Sequence, residues 1–279
     1  MKVDFMIIGA QKCATTTLFD ILNKHPQLEG CAEKEPGFFA KKNWQSSLNS
    51  YHQLYKERDG AIYFEASTQY TFYPHIDNKN LIADLYQYNP NLKFIYLVRS
   101  PIDRIISSYI HGYQREFIKK DINQELMNNP FFIDISMYAT QIRPYIKMFQ
   151  RENVLVIDFD DFTSDQYKVV NQVCQFLNIE LETSMLTQNQ HSNKSLGNVK
   201  LKKQYTKTFN LLKKMSHSLP SSINDILKRT IRDSGLFTGE KITKKPSLTP
   251  ETISFIQEQL RSDIDELEDI MGRSLASWK

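Results

Sequence analysis

Cysteine is scarce in these 279 residues: there are three, Cys13, Cys31 and Cys174. They cannot all pair and their spacings fit no metal motif, which excludes a disulfide scaffold and a cysteine metal centre and points to a reducing cytoplasm. No apolar run approaches the roughly 20 residues that span a bilayer. The N-terminus runs straight into an apolar strand with no basic and then apolar leader, so a cytoplasmic protein without a membrane partner is expected. The net charge of +3 is too small to imply nucleic acid, and no such partner is expected. Internal repeats and low-complexity tracts are also missing.

What is present is an ordinary globular composition, 41% hydrophobic and 12% aromatic, long enough to bury a large core. One domain over residues 1–279 is expected. Apolar runs predict strands at Met6–Ile8, 61–65, 92–98 and 153–159. Helical spacing predicts helices from Thr15 to about His25, at 51–55, 80–88, from Pro101 through Tyr109, and at 138–150, 165–177 and 251–271. In the last, Ile253, Ile256, Leu260, Ile264 and Leu267 recur on one face. Strands alternating with helices imply an α/β fold, a mostly parallel central sheet flanked by helices.

The chemistry begins where the first strand meets the first helix. Gly9-Ala10-Gln11-Lys12-Cys13-Ala14-Thr15-Thr16-Thr17 is a small-residue loop opening a helix, with one lysine and three threonines. Such a junction turns backbone N–H groups and the positive end of the helix toward an anion, and Lys12 adds a full charge. A nucleoside-triphosphate loop needs paired glycines followed at once by Lys and Ser/Thr, with a metal-organising aspartate ending a neighbouring strand. Here Lys12 precedes the threonines by three residues, Ala14 stands where a second glycine would be, and the strongest strand ends in Arg99. Arginine binds a second anion directly, so no metal is expected. Ser107, eight residues on, is placed by one to two helical turns to reach the same anion.

The segment Arg99-Ser100-Pro101-Ile102-Asp103-Arg104-Ile105-Ile106-Ser107-Ser108-Tyr109, taken with Lys12 and the threonines, resembles the sulfotransferase family that uses 3′-phosphoadenosine 5′-phosphosulfate (PAPS). The resemblance is to its carbohydrate-type, heparan-sulfate-sulfotransferase-like branch in a soluble bacterial form, and it implies a P-loop-like sulfotransferase fold. It implies that Gln11, Lys12, Cys13, Ala14, Thr15, Thr16 and Thr17 hold the 5′-phosphosulfate and that Arg99 and Ser107 hold the 3′-phosphate. Lys34-Glu35-Pro36-Gly37-Phe38-Phe39 resembles the branch's Lys-Glu-x-His-Phe-Phe segment, whose glutamate is the catalytic base, with Gly37 in place of the histidine. Asn193 to Lys200 resembles the late loop that folds over the nucleotide, which adds Ser195 and Lys200 to the cofactor site. The ending Leu275-Ala276-Ser277-Trp278 resembles the family's terminal Leu-x-x-Trp.

On this reading PAPS is the donor and 3′-phosphoadenosine 5′-phosphate (PAP) the product. Glu35 takes the proton of an attacking hydroxyl, and Lys12 stabilises charge on the oxygen bridging sulfur and phosphorus. Glu65, at a strand end, is the rival base and His111 a third candidate; with Phe38 they are the candidate acceptor-binding residues. The expected acceptor is a small metabolite or natural product alcohol, the alternative a glycan. No acid occurs between Glu182 and Asp225 while seven lysines do, a stretch that suits a polyanionic sugar, the nucleotide or a solvated helix. A P-loop nucleotide kinase and a non-catalytic nucleotide-binding module are the readings from other classes.

Overall fold

The computed structural model describes residues 1–114, 117–118, 120–186 and 244–279. Ser195, Lys200 and most of the lysine-rich stretch lie outside the described residues. Five parallel strands, β1 (Phe5–Gly9), β2 (Leu28–Gly30), β3 (Ile62–Ala66), β4 (Lys93–Val98) and β5 (Val154–Asp158), form one sheet in the order β2-β3-β1-β4-β5. Every residue of β1 is buried, as expected of a central parallel strand covered on both faces.

The helices among the described residues are α1 (Thr15–Leu22), α2 (Leu48–His52), α3 (Leu81–Tyr88), α4 (Pro101–Gln114), α5 (Ile122–Asn128), α6 (Phe131–Asp134), α7 (Tyr138–Phe149), α8 (Phe159–Ser164), α9 (Gln166–Leu177) and α10 (Pro250–Met271). The four expected strands are present, and β2 is the addition: a three-residue strand that pairs with β3 and, among the described residues, stands at the edge of the sheet. α1 stops three residues before His25, which instead donates its N–H to the Leu22 carbonyl in a turn. Before α9, Asp158 caps α8 by accepting the Asp160 N–H, so that one more helix stands between β5 and α9 than expected.

Aromatic packing ties the layers together. Phe5 stacks on Phe64 across β1 and β3 at 4.8 Å, and Phe94 of β4 meets Tyr145 and Phe149 of α7 edge-on. α10 buries Ile256, Leu260, Ile264 and Leu267, the face its periodicity marked out. Its Asp263 accepts the N–H groups of Ala139 and Thr140 at 2.9 and 2.8 Å, placing a carboxylate on the positive end of α7.

Strand order positions the site. From β1 the chain leaves toward β3 and β2, and from β4 it leaves toward β5. The two following loops therefore diverge and open a crevice beyond the carboxyl ends of β1 and β4, where ligands bind in open α/β sheets.

Candidate active site

The loop from Ala10 to Ala14 fills one wall of this crevice. Gly9 enters it with φ +152, and a Cβ there would sit 2.5 Å from the Thr71 hydroxyl and 2.8 Å from the Tyr96 ring, so glycine is the residue that fits. Ala10 donates its N–H to Leu97 of β4 at 2.6 Å. Lys12 and Ala14 take positive φ, 70 and 63, a left-handed conformation that costs an L-residue roughly 1–2 kcal/mol. Strain of this kind persists where surrounding structure enforces it. Here it leads the chain into α1, whose first-turn N–H groups have no acceptor within the helix. Gln11 is fixed by the Ser108 hydroxyl of α4, which donates to its side-chain oxygen at 2.8 Å.

Arg99 leaves β4 on the opposite wall. Its carbonyl accepts the Tyr138 hydroxyl at 2.9 Å, its guanidinium lies 4.4 Å over the Phe159 ring, and Asp103 stands 4.0 Å away. Asp103 is also held by Lys245 at 2.6 Å. Ser100 accepts the Arg104 N–H through its carbonyl, so α4 starts at Pro101 and carries Ser107, buried, and His111, half-buried, along its length. Arg104 is fully buried, bonded to the Ser136 hydroxyl at 2.9 Å and the Phe132 carbonyl at 2.8 Å. Its charge acts on Cys13 beneath the loop, as do Arg99 and Lys12, but burial outweighs them and pushes the Cys13 thiol up to about 12. Nothing in the Arg99 segment of the sequence marked Arg104 for this place, because only the packing of α4 on α6 turns it inward.

The third wall lies over β3. Glu35 donates its N–H to the Ala66 carbonyl at 3.1 Å, and its side chain is 39% exposed. Lys34 contacts the Thr16 hydroxyl in the first turn of α1 and stands 3.6 Å from the Glu35 carboxylate, so one ammonium joins the start of that helix to the exposed acid. Glu35 and Gly37 both have positive φ, 57 and 53. At φ +53 a side chain at residue 37 would be strained, and its Cβ would lie 2.6 Å from the Gln69 side-chain oxygen, so glycine suits this turn. Phe38 faces inward, stacked on Tyr51 at 4.2 Å.

Glu65, the expected rival to Glu35, is fully buried. Tyr70 donates to one of its oxygens at 2.6 Å and Ser67 to the other at 3.2 Å. Burial pushes its carboxyl up to about 7, against the lowering effect of the Tyr70, Tyr51 and Ser67 hydroxyls and the Lys41 charge. Lys34 entered the sequence reading only as the first residue of the Lys-Glu motif, and Ser67 and Tyr70 were not singled out, although they follow Glu65 by two and five residues, a spacing that a turn after a strand folds back onto the acid. No group of acids, histidines or cysteines suited to a metal occurs among the described residues, and no helix of theirs is long and apolar enough to cross a membrane.

Comparison with known proteins places this geometry. Residues 2–269 match the family described as "Sulfotransferase domain". Mouse carbohydrate sulfotransferase 15 is 23% identical in an alignment covering 68% of this chain and 46% of that protein. Mouse heparan sulfate glucosamine 3-O-sulfotransferase 5 is 24% identical, with 62% of this chain and 53% of that protein covered. The chain thus spans about half the length of these curated relatives. A sulfotransferase structure from Alicyclobacillus acidocaldarius shares the fold, with a TM-score of 0.67 and 22% identity over 100% of this chain and 99% of that one.

Proposed function

The chain belongs to the sulfotransferase domain family, and on that premise we propose that it transfers the sulfuryl group of PAPS to a hydroxyl, leaving a sulfate ester and PAP. The observation that supports the proposal is the Lys34 bridge, one ammonium in contact with both the Thr16 hydroxyl and the exposed Glu35 carboxylate. Transfer needs both within reach of one sulfur.

Sulfuryl transfer, like phosphoryl transfer, is mainly positioning and charge stabilisation. In the proposed step the acceptor oxygen forms a bond to sulfur, its proton passes to a Glu35 carboxylate oxygen, and the bond between sulfur and the bridging oxygen breaks. Lys12 and the N–H groups opening α1, with Thr15, Thr16 and Thr17, hold the phosphosulfate. Lys12 meets the negative charge left on the bridging oxygen. Arg99 and Ser107, across the crevice, take the 3′-phosphate, with Arg99 stacked on Phe159 and so already oriented. Ser195 and Lys200 are proposed to complete the nucleotide site from outside the described residues. His111 and Phe38 are assigned no part in the transfer step.

For the acceptor we favour a sugar hydroxyl, on the names of the relatives above; the small alcohol is the second reading. Incubation with radiolabelled PAPS and a panel of glycans and small alcohols tests both the reaction and the acceptor. Labelled ester is expected, and Lys12→Ala is expected to lower transfer by about 10²–10³-fold. Tight PAP binding without transfer to any acceptor would leave a nucleotide-binding module, and Mg²⁺-dependent ATP binding would indicate a kinase.

A further inference from the structure

Glu65 is a fully buried carboxyl that the transfer step does not use, and burying an ionisable group without a task is costly. Its surroundings show an ordered arrangement. The Ser67 hydroxyl, which donates to one Glu65 oxygen, accepts the Gly37 N–H at 3.0 Å. The Tyr70 hydroxyl, which donates to the other, accepts the Phe39 N–H at 3.2 Å. The residue after Glu65, Ala66, accepts the Glu35 N–H. An ionised carboxylate only accepts hydrogen bonds, so it draws both hydroxyl protons toward itself and leaves both hydroxyl oxygens free to accept from the 35–39 segment.

We propose that Glu65 is the positioning residue of the acceptor-side loop, holding the left-handed turn at Glu35 and Gly37 through two hydroxyl relays, one ending on Gly37 and the other on Phe39. The proposal rests on the reading of Glu35 as the base, and gives that base a fixed place. A neutral carboxyl, or the amide of glutamine, turns one acceptor into a donor. One hydroxyl proton then loses its acceptor and that relay weakens. The groups that face Glu65 are Tyr70 and Ser67 beyond β3, Tyr51 of α2 with Tyr55 and Cys31 behind it, and Lys41 after the loop.

Amide hydrogen exchange at pH 8 across residues 33–41 tests this, alongside steady-state kinetics. In Glu65→Gln the Gly37 and Phe39 amides are expected to exchange at least about tenfold faster, with β1 and β4 unchanged. kcat is expected to fall about tenfold while the KM for PAPS and the affinity for PAP stay within about twofold. Ser67→Ala is expected to release Gly37 alone and Tyr70→Phe to release Phe39 alone, which keeps the test open if Glu65→Gln does not fold. Unchanged protection at both amides in the soluble variants would overturn the proposal, as would a fall in PAP affinity equal to the fall in kcat. The two readings fail separately: exchange decides the role of Glu65, and the turnover of Glu35→Gln against the parent protein decides that of Glu35.

Discussion

The two strands that flank β1 end in opposite charges handled in opposite ways. β4 delivers Arg99, a quarter exposed, stacked on the Phe159 ring and within 4.0 Å of Asp103. β3 delivers Glu65, fully buried and committed to two hydroxyls of its own chain. The cation suits an incoming anion, whereas the acid has its partners already and acts on what those partners hold. On the proposed reading, one side of the crevice binds the nucleotide and the other supports the reactive group that stands in front of it.

The sharpest way to break this comparison is at the reactive group. Glu35→Gln is expected to lower kcat by about 10²–10⁴-fold while PAP affinity, read by calorimetry, is unchanged. If it leaves turnover near normal, the acid that matters is elsewhere and the support has been misread. Arg99→Ala is the matching change on the cationic side and is expected to weaken PAP binding by about 10–100-fold, the loss of charge-assisted hydrogen bonds worth about 1.5–3 kcal/mol. Unchanged affinity would remove Arg99 from the nucleotide site.

A subtler change sharpens the comparison through pH. Burial holds the Glu65 carboxyl at about 7, above its usual 4.5. The folded chain therefore binds more protons than the unfolded one between those values. The associated stability is full below about 4.5 and declines as pH rises through about 7, by on the order of 1–3 kcal/mol in denaturant titrations. Turnover, which needs the ionised form, is expected to rise over the same interval. Opposite trends in stability and kcat from pH 5 to 8, both flattened in Glu65→Gln, are the expected signature; parallel trends would contradict it.

Much of this was legible in one dimension, and the reason differs by region. β1 is a continuous apolar run, β4 is one after Lys93, and β3 and β5 are apolar up to Glu65 and Asp158, so their place as strands of a covered parallel sheet is written into the residues themselves. β2 is three residues long with no pattern to detect, and it exists because Arg58 and the edge of β3 give it partners. The proposed anion cradle is contiguous from Gly9 to Thr17, and the spacing of Lys12 could be weighed against that of a triphosphate loop. The acceptor side is assembled from residues about thirty positions apart, as in the bonds from Gly37 to Ser67 and Phe39 to Tyr70. Glu65 therefore presented itself as a second base, and only the folded arrangement of its two hydroxyls suggests another role.

The burial of the three cysteines carries a practical consequence. Cys13 lies under the cradle, Cys31 leads into the acceptor-side loop and Cys174 packs within α9, all unpaired and shielded from solvent. Thiols react as thiolates, and burial pushes Cys13 up to about 12 and Cys31 up to about 11. The folded protein should therefore be inert to maleimides and iodoacetamide at neutral pH. A cysteine introduced at exposed Lys42, just past the acceptor-side loop, would then be the single point of attachment for a dye, without stripping native residues from the chain first.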